Sequence, residues 1–349
     1  MKQLKNKIRQ GIIIGFLFVG LWFLFLNWPI NDVSLNEDQF KEETEIEIET
    51  EEEKKDVFID YSLKQEQRNL PLGFIVDNFS QAWPPQGINQ AAIIYEAPVE
   101  ADITRLLVIF DLDNLPEVIG PIRSARPYFA EWAEEYQGLF VHAGGSPEFL
   151  RKADTYNFFR LDEISYNGGY FYRDKTRDPP HNLYINKTNV QQAIEDKDWA
   201  TKVGPGFIYW SFQPSGVNSN NLTNNSTNNL IVKINYREPV VWQYEKESGF
   251  YFRWQNDKPF LDAAGNQVRV KNIVIQKTEI SILDSLGRRF IKTIGEGEAL
   301  IFQAGNLING FWKNKGQKTF FYNEKNQAIE FLPGKIWINI VSLEHEIIY

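Results

Sequence analysis

Four polar clusters in the amino-terminal half of this 349-residue chain have residue types and spacings that could do chemistry. The first is Pro121-Ile122-Arg123-Ser124-Ala125-Arg126-Pro127-Tyr128. Two arginines three apart stand just before a proline-opened helix start. The free N–H groups and positive dipole end of such a start favour anions, and the planar guanidinium fork matches carboxylate or phosphate. The competing use of these arginines is pairing with Glu131, Glu134 or Glu135. The second cluster is His142-Ala143-Gly144-Gly145-Ser146-Pro147, a strand–turn–helix corner. Its glycines allow close approach of an anion to the backbone, and Ser146 fits a helix cap better than a nucleophile because no Gly-x-Ser-x-Gly surrounds it.

The third cluster runs from Phe171 to Tyr184 and holds Arg173, Asp174, Arg177, Pro179, Pro180, His181 and Asn182. Two prolines stiffen the loop, so His181 can be positioned at small entropic cost. The fourth runs from Tyr95 to Arg105 and supplies Glu96, Glu100, Asp102 and Arg105. A metal site on Asp102, Asp174, His142 and His181 is conceivable, but no pair has a ligand spacing such as His-Glu-x-x-His. No metal and no cofactor are expected. His345, in Glu344-His345-Glu346, reads as exposed.

The elements that must hold these clusters alternate. Leu72–Val76, Ala91–Tyr95, Leu106–Phe110 and Leu139–His142 read as buried strands, and Pro127–Gln137 and Pro147–Ala153 as helices opened by proline at the first position. An Asn-rich, turn-prone stretch at 214–229 marks a boundary or long surface loop. Its Asn-x-Ser/Thr triplets, like Asn186-Lys187-Thr188, would matter only in a glycosylating host. Beyond it Leu230–Tyr236, Phe250–Trp254, Val268–Lys277, Ala299–Gln303, Lys318–Tyr322 and Lys335–Val341 read as strands, a pattern of a small barrel or sandwich. The expected fold is therefore α+β. An amino-terminal α/β portion at 61–213 has a mostly parallel or mixed sheet, and a β-rich carboxy-terminal portion follows at 230–349.

Compartment follows from the first 60 residues. Lys2, Lys5, Lys7 and Arg9 precede an uncharged stretch, in which Gly11–Ile30 contains only Asn27 as a strongly polar residue. Twenty helical residues span roughly 30 Å, the thickness of a bilayer core. The basic end should stay inside and the remainder outside. The apolar core is longer than that of a cleaved signal and no Ala-x-Ala follows it, so an uncleaved single-pass anchor over 1–30 is expected. Residues 31–60 read as an extended acidic tether, with eleven acids and three lysines between Glu37 and Asp56. Of the total charge of −9, the stretch Val57–Tyr349 carries only −4. A slightly acidic body outside the membrane is a poor nucleic-acid binder. The absence of cysteine excludes disulfides, thiol catalysis and thiolate metal sites.

The runs Pro121–Tyr128, His142–Pro147 and Phe171–Tyr184 resemble signature segments of the YerB-like family of bacterial envelope proteins, as do Pro71–Asn78 and Glu100–Arg105. The Gly295–Ala299 and Pro333–Trp337 segments are similar to that family's second region. The resemblance spans Leu70 to Ser342 and implies an α/β portion followed by a β-rich one, but no activity. Many relatives carry a lipoprotein cysteine; here an apolar segment stands in its place.

Two functions fit. One is a membrane-tethered binding module that grips an anionic envelope or cell-wall ligand through Arg105, Arg123, Ser124, Arg126, Gly144, Gly145, Ser146, Arg173, Arg177 and Asn182. The other is a hydrolase or transferase with His142 or His181 as general base, oriented by Asp174 or Asp102. The sequence does not identify protein partners.

Overall fold

The computed structural model describes residues 70–166, 169–199, 210–214 and 230–349. The expected anchor and tether lie outside these residues, as does all but Pro214 of the Asn-rich stretch. No helix among the described residues is long and apolar enough to cross a membrane.

The body is organised on one ten-stranded mixed sheet. In chain order its strands are β1 (Pro71–Asp77), β2 (Ile93–Pro98), β3 (Thr104–Asp111), β4 (Leu139–His142), β5 (Phe159–Asp162), β6 (Asn272–Thr278), β7 (Gly295–Gln303), β8 (Asn306–Asn314), β9 (Thr319–Asn323) and β10 (Ile336–Ser342). Their spatial order is β9-β8-β7-β6-β10-β2-β3-β1-β4-β5. Five strands come from before the Asn-rich stretch and five from after it. They meet at one parallel pair, β2 with β10, from Ile93 beside Ile336 to Glu96 beside Asn339. The antiparallel ladder β1–β3 and the parallel ladders β1–β4, β4–β5 and β6–β10 fix the rest. As a result β1, β2, β4, β5, β6 and β10 all point their carboxyl ends to the same edge.

β1 is buried along its whole length, because layers cover both faces of the sheet. On one face lie α1 (Pro127–Glu134) and α2 (Pro147–Lys152), which bury Tyr128, Phe129, Trp132 and Phe149 against Ile75, Leu107, Phe140 and Ile338. Proline opens each helix, where the missing N–H costs nothing. On the other face lies a second sheet built around Ile231–Ile234, Val240–Glu245 and Phe250–Gln255. Val232, Trp242 and Tyr251 from that sheet pack on Phe74, Val108 and Trp337. The carboxy-terminal region thus has the two stacked layers of a sandwich, sharing one layer with the amino-terminal half.

Three local expectations change. The single strand read over Val268–Lys277 is two: Arg269–Val270 pairs with Tyr251 and Phe252 in the second sheet, and β6 starts at Asn272 in the first. Lys271 and Asn272 both bond the carbonyl of Lys335 where the chain changes layers. A further helix, α3 (Lys187–Asp196), begins at Asn186, whose side chain accepts from the Asn189 N–H at 2.7 Å. That Asn is a cap. His345 is half-buried and packs on Tyr236, with ring centroids 5.7 Å apart.

Candidate functional site

The parallel pairing of β1 with β4 covers only Leu72–Phe74 and Leu139–Val141. Beyond it the strands part, and Pro121–Ala125 threads between them. Asp77 N–H donates to Pro121 O, Arg123 N–H to Ile75 O, Ala143 N–H to Arg123 O, and Ala125 N–H to Gly144 O. An anion-matched segment is thereby fixed at the carboxyl edge of a parallel pair, the usual place for a ligand crevice in such sheets.

Asp77 is the centre of this site. It is 1% exposed, and side chains alternate along a strand, so it shares the helix-covered face with Ile75. Its Oδ1 accepts from Phe79 N–H at 3.1 Å. Its Oδ2 lies 2.7 Å from His181 Nδ1 and 3.0 Å from Arg123 Nε. One carboxylate oxygen therefore holds the imidazole and the guanidinium side by side. Arg123 also donates through Nη1 to Pro180 O at 3.2 Å, tying the site to the loop that carries His181. The remaining nitrogens, His181 Nε2 and Arg123 Nη2, have no partner and are not among the solvent-sealed atoms. They are the nitrogens of the cluster that solvent can reach.

Two more arginines stand behind this pair. Arg105, opposite Asp77 in the β1–β3 register, donates through Nη1 to Ser124 O at 2.6 Å. Burial, then the neighbouring Arg126 charge, lowers its guanidinium pKa to about 10, against the pull of Asp77. Arg126 is closed by a two-pronged pair with Glu100, Nε to Oε1 at 2.8 Å and Nη2 to Oε2 at 2.7 Å, and its Nη1 donates to Ala125 O. Burial pushes the Glu100 carboxyl up, but the hydrogen bond and charge of Arg126 outweigh it and hold it below its ordinary value. Three guanidinium groups and two carboxylates thus converge around Ser124.

The other expected residues separate from this group. His142 is fully buried between the rings of Phe140 and Phe149. Its Nδ1 donates to Gly144 O at 2.8 Å, its Nε2 is sealed, and burial lowers its pKa to about 4. The expectation that it is a solvent-facing base is corrected: it is a neutral core histidine. Gly144 sits at φ +61°, where a side chain would also strike Ile164, and its N–H donates to Asp162. Gly145 leaves room for the Phe149 ring, and Ser146 caps α2 through Oγ with the Phe149 N–H at 3.3 Å. This corner is a structural joint.

Asp174 does not orient His181. Its Oδ1 accepts from the N–H and hydroxyl of Thr176, closing its own turn. Asp102 pairs with Arg289. Arg177 clamps the carbonyls of Ala82 and Pro84 at 2.7 and 2.8 Å, and Arg173 bonds Asn182 Oδ1 and Glu163. Asn182 bridges onward to Asp174 O at 3.4 Å, inside the loop. The residue the sequence reading missed is Asp77. Its signals are an acid at the end of an otherwise apolar strand and its place in the Pro71–Asn78 segment. No metal-binding group of His, Asp and Glu exists among the described residues.

Comparison with known proteins adds the following. Residues 61–200 match the amino-terminal domain, and residues 231–338 the carboxy-terminal domain, of DUF3048, described as a protein of unknown function. A Bacillus subtilis (strain 168) protein described as "Putative lipoprotein YerB" is 32% identical over 286 residues, 80% of this chain and 84% of that one. The crystal structure of YerB from Bacillus subtilis superposes with a TM-score of 0.71 at 30% identity, covering 82% of this chain and 97% of that one.

Proposed function

The chain belongs to the YerB-like DUF3048 family, and on that premise we propose that it is a membrane-anchored, outward-facing protein of the cell envelope that binds a phosphate- or carboxylate-bearing ligand at Arg123 and His181. The shared oxygen carries this reading. Asp77 Oδ2 fixes two nitrogen-bearing side chains edge to edge and leaves one free nitrogen on each facing out. Arg105 adds positive potential from behind without contacting the ligand, and Arg126 is neutralised by Glu100. The relative described as a lipoprotein supports the envelope location. With no cysteine to lipidate, the apolar run Gly11–Ile30 is the natural anchor in this chain.

One observation favours a second reading at the same atoms. A buried carboxylate on Nδ1 sets the tautomer that leaves Nε2 as a lone-pair base, and a guanidinium stands beside it to stabilise developing negative charge. This is the arrangement of a water-activating hydrolase or a transferase, with His181 as base and Asp77 orienting it.

Titration of the full chain in detergent with inorganic phosphate, read by calorimetry, tests the binding reading. Arg123→Ala is expected to weaken binding about tenfold or more, the loss of one charge-assisted pair. Phosphate affinity unchanged by Arg123→Ala would overturn it. His181→Gln separates the two readings: on the catalytic one it abolishes turnover of a wall fragment and leaves affinity nearly intact.

A further inference from the structure

The segment from Ile282 to Ile294 holds five of the thirteen exposed large apolar side chains among the described residues: Ile282, Leu283, Leu286, Phe290 and Ile294. Leu286 is 71% exposed and Ile282 61%. The segment is carried by a two-stranded ribbon, Ile280–Ile282 with Arg289–Ile291, whose root is fixed by buried Ile291 and by Arg289 on Asp102. Arg288 ties the tip to Glu148 of α2. The ribbon stands on the carboxyl edge of the central sheet, the edge that also carries Asp77 and Arg123.

Three features decide what covers this tip. First, the apolar groups are on both faces. Ser281 pairs with Phe290 and Ile282 with Arg289, so Phe290 and Ile282 point to opposite sides of the ribbon. A protein surface covers one side of an element; a fluid apolar medium covers all sides. Second, four backbone N–H groups of the tip are satisfied internally. Leu283 N–H donates to Arg288 O and Gly287 N–H to Asp284 O, while Asp284 Oδ1 accepts from the N–H groups of Leu286 and Arg288. The single acid of the tip, Asp284, is paired with Arg288. Immersion would therefore strip water from few unpaired groups, the condition for entering a bilayer interface. Third, Arg288 and Arg289 are already paired with Glu148 and Asp102, so Lys292 is the ribbon's cation for a lipid headgroup.

We propose that the Ile282–Ile294 hairpin dips into the outer face of the membrane, a second contact besides the amino-terminal anchor. The inference rests on the tethered reading above in one respect: the anchor keeps a bilayer within reach. Insertion of the hairpin turns the carboxyl edge of the sheet toward the lipid. Docking in that pose presents the Arg123–His181 opening to the headgroup layer.

The chain has no native cysteine, so one added residue gives a unique label. In the full chain reconstituted into vesicles of phosphatidylglycerol and phosphatidylethanolamine in equal parts, an environment-sensitive fluorophore on Leu286→Cys should emit to the blue and be quenched by lipids carrying shallow spin labels. The same fluorophore on Lys325→Cys, in an exposed turn at the opposite edge, should remain in water. Adding Phe290→Asp and Leu283→Asp should return the Leu286→Cys label to water while the far-ultraviolet spectrum stays native. A water-like signal at position 286 in vesicle-bound chain overturns the proposal, as does a blue signal that lipid quenchers leave untouched and that grows with protein concentration, the mark of a second copy. Alkaline extraction reports the anchor separately. Extractable chain with a quenched label sinks the anchor and keeps the hairpin, and the reverse result sinks the hairpin alone.

Discussion

Asp77 and Asn78 are neighbours in the chain, yet their side chains leave the sheet on opposite faces and enter two clusters of similar composition. Asn78 donates to Glu96 at 3.0 Å and to Thr104 at 2.7 Å. Glu96 in turn receives Arg253 on both oxygens, at 2.9 Å each, and the Trp337 indole N–H at 2.9 Å. The Arg253 guanidinium is enclosed by Trp242, Phe260 and Trp337. This carboxylate–guanidinium pair is wholly buried and joins β2 of the amino-terminal half to the second sheet. The Asp77 cluster uses the same chemistry but ends at the sheet edge, where the Arg123 side chain is 22% exposed against 0% for Arg253. Residue type does not separate a sealed strut from an open cluster; the presence of a second layer over the charged group does.

The largest expected effect would come from opening the sealed cluster. Arg253→Met strands the Glu96 carboxylate and should cost about 3–5 kcal/mol in urea unfolding. Replacing both as Glu96→Leu with Arg253→Met should recover most of that loss, while Arg123→Ala at the open cluster should cost about 1 kcal/mol or less. Equal costs at the two arginines would erase the distinction.

His142 gives a pH test of the same contrast. Its folded pKa of about 4 lies below the ordinary 6.5, so the folded chain binds fewer protons between these values. Its contribution is complete above pH 6.5 and is lost as pH falls toward 4, on the order of 3 kcal/mol. Glu135, which burial pushes up to about 7, acts in the opposite sense over a similar window. The measurement is therefore the difference between wild type and His142→Gln in urea melts at pH 7 and pH 4.5, and that difference should shift against wild type on acidification. No shift would mean that the imidazole is hydrated.

Arg126→Ala sharpens the comparison within the open cluster. Its fork is occupied by Glu100, so phosphate affinity should change about twofold or less, against about tenfold for Arg123→Ala. Calorimetric titration of both variants reads this directly. The smallest effect is expected at Ser146→Ala, about 1 kcal/mol of stability from the lost cap and no change in phosphate binding.

Much of the architecture was legible because it rests on local rules. Pro127 and Pro147 announce helix starts, Ser146 announces its cap, and the apolar runs of β1, β3 and β4 announce strands covered on both faces. The arginine pair was legible as anion-matched chemistry. Its sorting was not. Arg123 is open and Arg126 closed because Glu100 arrives from 26 residues upstream. His181 is oriented from 104 residues away, by neither Asp174 nor Asp102. β8 escaped because Asn306, Asn309, Gly310 and Asn314 read as turn residues, although in the fold they lie within one long strand. Tertiary partners across such distances leave no spacing to read.

The seam between the halves has a consequence for biogenesis. Ile93 finds its partner Ile336 only once synthesis has passed β10. Until then β2 is a bare rim, the kind of template on which nascent chains stick to one another. Ribosomal truncations ending anywhere before β10 should accumulate as aggregates rather than as half-sized folded fragments, and the two halves should resist being recombined separately by gene fusion.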